Sequence, residues 1–551
     1  MKSYKGHIVD VVQREVFDGE LLVDGERIAE VKRCELGDGQ WPYLLPGFID
    51  SHIHIESSMM VPCKFAQIAV NHGTIGVIAD PHEIGNVLGI EGVDYMIRSG
   101  NEVQFNFCFG APSCVPAVGG EIETSGAVVS ADDIETLMAR EDIGFLAEMM
   151  NYPGVLSGDK EVMRKIEAAH RNNKPVDGHA PELTEDQRMQ YAAAGITTNH
   201  ECSTLEEGRS SIKAGMKVII REGSAAKDYE MLSPLIAENP DMVMFCTDDC
   251  HPDDLVRSHI NSIVKRALAD GYQLWDVLQA ACVNAQKHYH KNWGLLQEGD
   301  PATFICVDCL TPNFRVERTV IRGTKVFDYN FNITKDLFIK EKNKDTTFPN
   351  RFVATPITKK DVFLDIKSGD KVHVIHASDG SLLTQHDEIQ VSGNPLFDSH
   401  YPWTEVQKIV VYNRYEPGAK PVVGLVRGFG IRDGAIAGSV AHDCHNIVAI
   451  GSNDEYLVRA INRVIEMKGG QVVIGPDEML DIPLPIAGLM APLSGYEIAF
   501  RTLLLHEMVK RIGCTMKSPF ITMAFMCLPV IPDIKITDRH LMDTKQMKII
   551  S

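Results

Sequence analysis

Positive charge is in short supply in this chain. Its 54 lysines and arginines face 75 aspartates and glutamates, a formal net charge of −21. Nucleic acids and anionic membranes are polyanions, so this excess of negative charge argues against both as partners. Long apolar runs are missing too. The longest, Phe520 to Pro532, is too short to span a bilayer and contains Pro529, so it reads as a buried strand or helix. No apolar stretch follows Met1-Lys2-Ser3-Tyr4-Lys5-Gly6-His7; no secretory signal is expected, and a cytoplasmic location is. The 13 cysteines are odd in number and lack framework spacing, so they are expected as buried thiols. Cys306-x-x-Cys309 has no second such pair, which argues against a zinc knuckle. A glycine-rich nucleotide fingerprint is also lacking, and that counts against a doubly wound open sheet.

What is present is a repeated phrase. The chain has 551 residues, too many for one core, so two to four domains are expected. The first forty alternate apolar and polar and turn at Asp24-Gly25, which predicts a small antiparallel β unit. From Leu44 to about Gly271 a short apolar strand, a polar loop and a helix of 3.6-residue period recur. The strands read as 44–50, 74–79, 104–110, 143–148, 175–179, 196–200, 216–221 and 242–247. Helices are expected over 131–140, 161–172, 185–194 and 204–214. Ser130-x-x-Asp133 marks the start of the first of these, because a serine side chain can accept free amide protons there. Eight strands alternating with helices are the count of a TIM barrel. The segment Trp293 to Ala302 leads into strands ending near Gly323-Thr324-Lys325-Val326, which look like a return to the N-terminal β unit. A charged linker is expected around Lys340 to Asp345. The fold class expected is therefore α/β: a (β/α)₈ TIM barrel over 45–284, a small β-sandwich built from both flanks (1–44 and 285–335), and a C-terminal α+β domain over 350–551.

The strand ends carry metal-ligand chemistry. Strand one ends in His52-Ile53-His54, strand four in Glu148, strand five in His179, strand six in His200, and strand eight is followed by Asp248. Barrel strands converge on one mouth, so these distant residues are expected to meet there. Residues i and i+2 of a strand share a face, so His52 and His54 can point into one site. Four imidazoles and two carboxylates suffice for two divalent metals, with one carboxylate bridging. Each residue has an ordinary structural role open to it, and His-x-His alone occurs by chance; five strand ends in register are much harder to obtain that way. All donors are N or O, which favours Mn²⁺, Fe²⁺ or Zn²⁺ over a thiolate zinc site.

These residues carry a resemblance. Pro46-Gly47-Phe48-Ile49-Asp50-Ser51-His52-Ile53-His54 resembles the first-strand signature of the amidohydrolase superfamily. More narrowly, the bacterial adenine deaminases are resembled by several segments: His54-Ile55-Glu56-Ser57-Ser58-Met59, Asp80-Pro81-His82-Glu83-Ile84-Gly85-Asn86, Ala147-Glu148-Met149-Met150-Asn151, Gly178-His179-Ala180-Pro181 and Thr247-Asp248-Asp249. In the tail, Ala441-His442-Asp443-Cys444-His445-Asn446-Ile447 and Pro485-Ile486-Ala487-Gly488-Leu489-Met490 are similar as well, with Cys444 where a serine is expected. The resemblance covers nearly the whole chain. It implies hydrolysis of adenine to hypoxanthine and ammonia by attack of a metal-bridging hydroxide on C6, with two divalent ions, Mn²⁺ or Fe²⁺ ahead of Zn²⁺. Many members of the superfamily carry a carboxylated lysine at the end of strand four. Glu148 stands there instead, which counts against dihydroorotase-, urease- or phosphotriesterase-like readings.

For that reaction Asp248 is expected to orient the hydroxide, accept its proton and pass a proton to the departing ammonia, with Asp249 as its competitor. Attack at C6 pushes charge onto N1, where Glu83, and after it His82, is the candidate to stabilise the intermediate. Glu56 and Glu201 are candidates to hold the imidazoles in their metal-binding tautomer. His442, Asp443 and His445 are candidates to close on substrate or hold an extra metal, against the ordinary reading of a self-bonded polar turn. A homo-oligomer is expected. Two alternatives remain: an amidohydrolase acting on another heterocycle or cyclic amide, and a non-catalytic metal- or nucleobase-binding protein.

Overall fold

The computed structural model describes residues 1–330, 348–379, 381–391, 405–546 and 548–550. The expected linker at Lys340 to Asp345, and the last five residues of the segment 285–335, lie outside them. Two compact units are present. One comprises Met1–Pro81, Asp94–Ser113 and the described residues of Ser130–Lys344; the other comprises His82–Val93, Cys114–Val129 and the described residues of Asp345–Ser551.

The first unit opens with β1 (Lys2–Asp10), β2 (Glu15–Asp24), β3 (Arg27–Arg33) and β4 (Tyr43–Leu45). The β2–β3 turn carries Gly25 at φ 58, a left-handed conformation that glycine adopts without steric cost. The barrel strands follow: β5 (Phe48–His54), β6 (Thr74–Ala79), β7 (Asn106–Ala111), β8 (Ile143–Met149), β9 (Val176–Gly178), β10 (Thr198–Asn199), β11 (Lys217–Arg221), β12 (Val243–Cys246) and the short β13 (Asp248–Asp249). The chain then returns through β14 (Phe304–Val307), β15 (Val316–Ile321) and β16 (Thr324–Asp328). These last three join the first four in one seven-stranded sheet of order β16-β15-β14-β4-β1-β2-β3. Its core gathers Ile8, Leu21, Ile28 and Leu44 from one flank and Phe304, Cys306 and Val320 from the other.

The barrel strands pair in parallel and in sequence order, as β13-β5-β6-β7-β8-β9 and β10-β11-β12. The ring is closed by Asp248 and Asp249 pairing with Ile53 and His54 on one side, and by the Thr197 amide donating to the Val176 carbonyl at 2.9 Å on the other. β5 and β6 are buried along their whole length, as parallel strands covered on both faces are. Helices lie at Ala131–Met138, Lys160–Arg171, Glu185–Ala193 and Leu205–Lys213. Ser130 caps the first in a reciprocal box with Asp133, and Thr184 with Gln187 and Thr204 with Glu207 repeat the device.

The second unit is built on an eight-stranded sheet of order β18-β17-β20-β19-β22-β21-β23-β24. Its strands are β17 (Lys371–Ala377), β18 (Thr384–Gln390), β19 (Val406–Tyr412), β20 (Val422–Arg427), β21 (Ala435–Gly438), β22 (Ile447–Gly451), β23 (Gly470–Ile474) and β24 (Met479–Pro483). The helix Asp454–Met467 packs its Leu457, Ile461 and Val464 on Ala435, Ala449 and Val472 of the sheet. A second helix, Gly495–Arg511, packs against β23 and β24. The apolar run from Phe520 contains the buried helix Pro519–Phe525, and no helix among the described residues is long and apolar enough to cross a membrane.

Candidate metal centre

The strand ends bring all six expected ligands together, each within 3.5 Å of at least one other. His52 and His54 close β5, Glu148 lies one residue from the end of β8, and His179 and His200 follow β9 and β10 directly. Asp248 opens β13 with φ 58, a left-handed turn that swings its carboxylate back toward β5. Glu148 spans two groups of imidazoles. Its Oε1 lies 3.3 Å from His54 Nε2; its Oε2 lies 2.7 Å from His179 Nδ1 and 3.1 Å from His200 Nε2. Asp248 Oδ1 lies 3.1 Å from His54 Nε2 and 3.5 Å from His52 Nε2. All six residues are buried.

Both ring nitrogens of His52 and Nδ1 of His200 have no hydrogen-bond partner among the described residues. A buried polar atom left so is costly unless something else satisfies it. A set of N and O donors about 3 Å apart, with imidazole nitrogens unsatisfied, fits a divalent cation site. His54 Nδ1 lies 3.2 Å from the Asp80 carbonyl, an acceptor that places the proton on Nδ1 and leaves the Nε2 lone pair facing the site. Electrostatics agree with cation binding. Burial alone would raise both carboxyls, yet His179 and His200 hold Glu148, and His52, His54 and Arg221 hold Asp248, well below the usual carboxylate range.

A second layer lies behind these six residues. Arg221, at the end of β11, is buried; its Nε donates to Asp228 Oδ2 at 2.7 Å, its Nη1 to Asp248 Oδ2 at 3.1 Å, and it pairs with both oxygens of Glu201. Glu201 Oε1 in turn lies 3.5 Å from His200 Nε2 and 3.7 Å from His179 Nδ1. Below them Asp50 takes the Thr247 hydroxyl at 2.5 Å and lies 2.9 Å from His259 Nε2, tying β5 to the end of β12. Asp177 takes hydrogen bonds from Tyr289 and Thr198, while burial pushes its carboxyl up to about 7. Arg221, Asp50 and Asp177 escaped the sequence reading. Arg221 sits at a strand end like the ligands, and that was its one available signal. Asp249 points elsewhere, accepting the Ser57 hydroxyl. Glu56 is buried in the turn Ile55–Ser58 after β5.

The remaining candidates assemble in the second unit. Glu83, in the helix His82–Leu88, faces His442 Nδ1 at 2.7 Å through one oxygen and His445 Nε2 through the other. Against its burial, these two imidazoles hold Glu83 well below the usual carboxylate range. His82 Nε2 lies 3.8 Å from Glu83 and 3.9 Å from Asp443. The distance between Glu83 and His442 is that of a hydrogen bond, equal to the spacing between Glu148 and His179. Beside them Glu123 accepts the Val118 amide at 3.2 Å, and burial together with the Asp443 charge pushes its carboxyl up to about 8. Cys444, at the position where a serine was expected, is a buried thiol next to Glu123.

Residues 43–326 match the Amidohydrolase family, and residues 381–548 match the Adenine deaminase C-terminal domain. An adenine deaminase of Salinibacter ruber is 45% identical over 542 residues, covering 98% of this chain and 97% of its own length. One of Methanosarcina mazei is 42% identical over 566 residues, covering 100% and 99%. One of Borreliella burgdorferi is 41% identical over 548 residues, covering 98% and 97%. With a metal-binding barrel mouth on one side and likeness over the full chain on the other, the chain belongs to the amidohydrolase family and, within it, to the adenine deaminases.

Proposed function

We propose that this protein hydrolyses adenine at C6, giving hypoxanthine and ammonia. The observation that carries the reading is the donor set around Glu148, in a chain whose full-length relatives bear the name adenine deaminase. Two divalent ions, Mn²⁺ or Fe²⁺ ahead of Zn²⁺, held by His52, His54, Glu148, His179, His200 and Asp248, would supply a nucleophilic hydroxide at neutral pH. Asp248 serves as the proton carrier. It is kept ionised, so it can accept a proton during attack on C6 and return one to the departing ammonia. Arg221 fixes the far oxygen of Asp248 and leaves the near one toward the imidazoles.

For N1, which gains electron density, the proposal keeps Glu83 first and His82 second, from their place just after β6. Because Glu83 is ionised in its pairing with His442 and His445, and burial lowers His445, the proton it delivers would be drawn from His442. Asp443 belongs to the same group, and Glu201 and Glu56 support the barrel imidazoles. A homo-oligomer in the cytoplasm completes the proposal; thirteen cysteines in the thiol form suit a reducing compartment.

The test is ammonia release from adenine by Mn²⁺- or Fe²⁺-loaded protein, beside a panel of aminopyrimidines, other purines and hydantoins. Turnover confined to adenine is expected. Faster turnover of a cyclic amide would move the chain to another substrate, and none with any metal would remove the enzyme reading.

A further inference from the structure

The helix Gly495–Arg511 of the second unit is apolar on two sides. One stripe, Ile498, Thr502, Leu505 and Val509, is buried. The other runs through Tyr496, Phe500, Leu503 and Leu504, at the i, i+4, i+7, i+8 spacing of one helix face. These four are 60%, 61%, 39% and 41% exposed. Single exposed apolar residues are ordinary, but four on one helix face form a contiguous patch of the kind that marks an interface.

We propose that this face is a two-fold interface between two copies of the chain, the helices crossing antiparallel. The inference rests on the homo-oligomer reading above and adds the surface. Charge along the helix favours a copy of itself as the partner. Its first turn carries Glu497 and its last turn Lys510 and Arg511. In an antiparallel pair the acidic end of each helix meets the basic end of the other, and the two helix dipoles oppose favourably. Among the described residues these groups form exposed pairs, Arg501 with Glu497 at 2.8 Å, Lys510 with Glu507 at 2.7 Å and Arg511 with Glu478 at 3.2 Å, which exchange partners at little cost. The four side chains leave roughly 400 Å² open per copy, taking about half of each aromatic or aliphatic surface. A standard interface buries about 800 Å² per partner, so the stripe would form its apolar centre and the charged ends its rim.

The experiment is sedimentation analysis of the full metal-loaded chain, wild type against Phe500→Glu with Leu504→Glu. The wild type is expected as an even-numbered oligomer and the variant at half that size, with adenine turnover per chain retained. A variant of wild-type size overturns this surface while leaving the homo-oligomer reading in place; a monomeric wild type overturns both. A gentler pair covers loss of folding in that variant. Glu497→Lys should weaken association about tenfold or more, and adding Lys510→Glu and Arg511→Glu should restore it; absence of either effect overturns the antiparallel arrangement.

Discussion

Glu148 reaches two groups of imidazoles with one side chain, His54 through one oxygen and His179 with His200 through the other. Asp248 is divided in a similar way, one oxygen toward His52 and His54 and the other on Arg221. Asp248→Asn keeps the shape and loses the proton acceptor. It should retain bound metal by elemental analysis and lose about 10²–10⁴ in kcat on adenine; near-normal turnover would remove Asp248 as the proton carrier. Arg221→Met leaves Glu201, Asp228 and Asp248 without their shared cation. It should lower unfolding stability by roughly 3–5 kcal/mol in urea titrations, with Arg221→Lys recovering part. In the second unit, burial and Asp443 raise the folded pKa of Glu123 to about 8 from an ordinary 4.5. The folded state therefore holds a proton there that the unfolded chain gives up earlier, and stability falls as pH rises from about 4.5 to 8. Glu123→Gln should flatten that fall by a few kcal/mol; equal slopes for the two proteins would contradict it.

At the scale of elements, the site depends on how closely the strands approach. Gly178 is the last residue of β9, next to His179, and a Cβ there would lie 2.4 Å from the Thr198 carbonyl oxygen of β10. Gly178→Ala should force the two strands apart, cost about 1–3 kcal/mol and reduce bound metal, read by thermal unfolding and metal analysis. Much of this level was legible in the sequence. The strands read as 74–79, 143–148 and 216–221 are observed at Thr74–Ala79, Ile143–Met149 and Lys217–Arg221, because runs of Val, Ile and Phe between polar loops carry a period that needs no tertiary information. The strands read as 175–179 and 196–200 shrink to Val176–Gly178 and Thr198–Asn199, since ladder bonding stops where the chain turns into the site. The cap at Ser130 was legible for the same local reason. Arg221 and Asp50 were not: a lone arginine or aspartate in a strand looks the same whether it faces solvent or buried polar partners.

At the scale of the whole molecule, sequence distance hides what packing joins. Glu83 lies more than 350 positions from its partners His442 and His445, and His82–Val93 and Cys114–Val129 belong with the C-terminal residues although they sit between barrel strands in the chain. No periodicity announces such a pairing. The barrel mouth escaped this difficulty because the βα repeat itself says that strand ends converge. The central claim is that the six residues at that mouth hold two ions and that both are needed for hydrolysis of adenine. The most direct test is to strip the chain of metal and titrate Mn²⁺ back while following ammonia release. Activity should rise to a break at two ions per chain, and the His52→Ala, His54→Ala variant should show neither break nor turnover. A break at one ion, or full activity in that variant, would contradict the two-ion centre around Glu148.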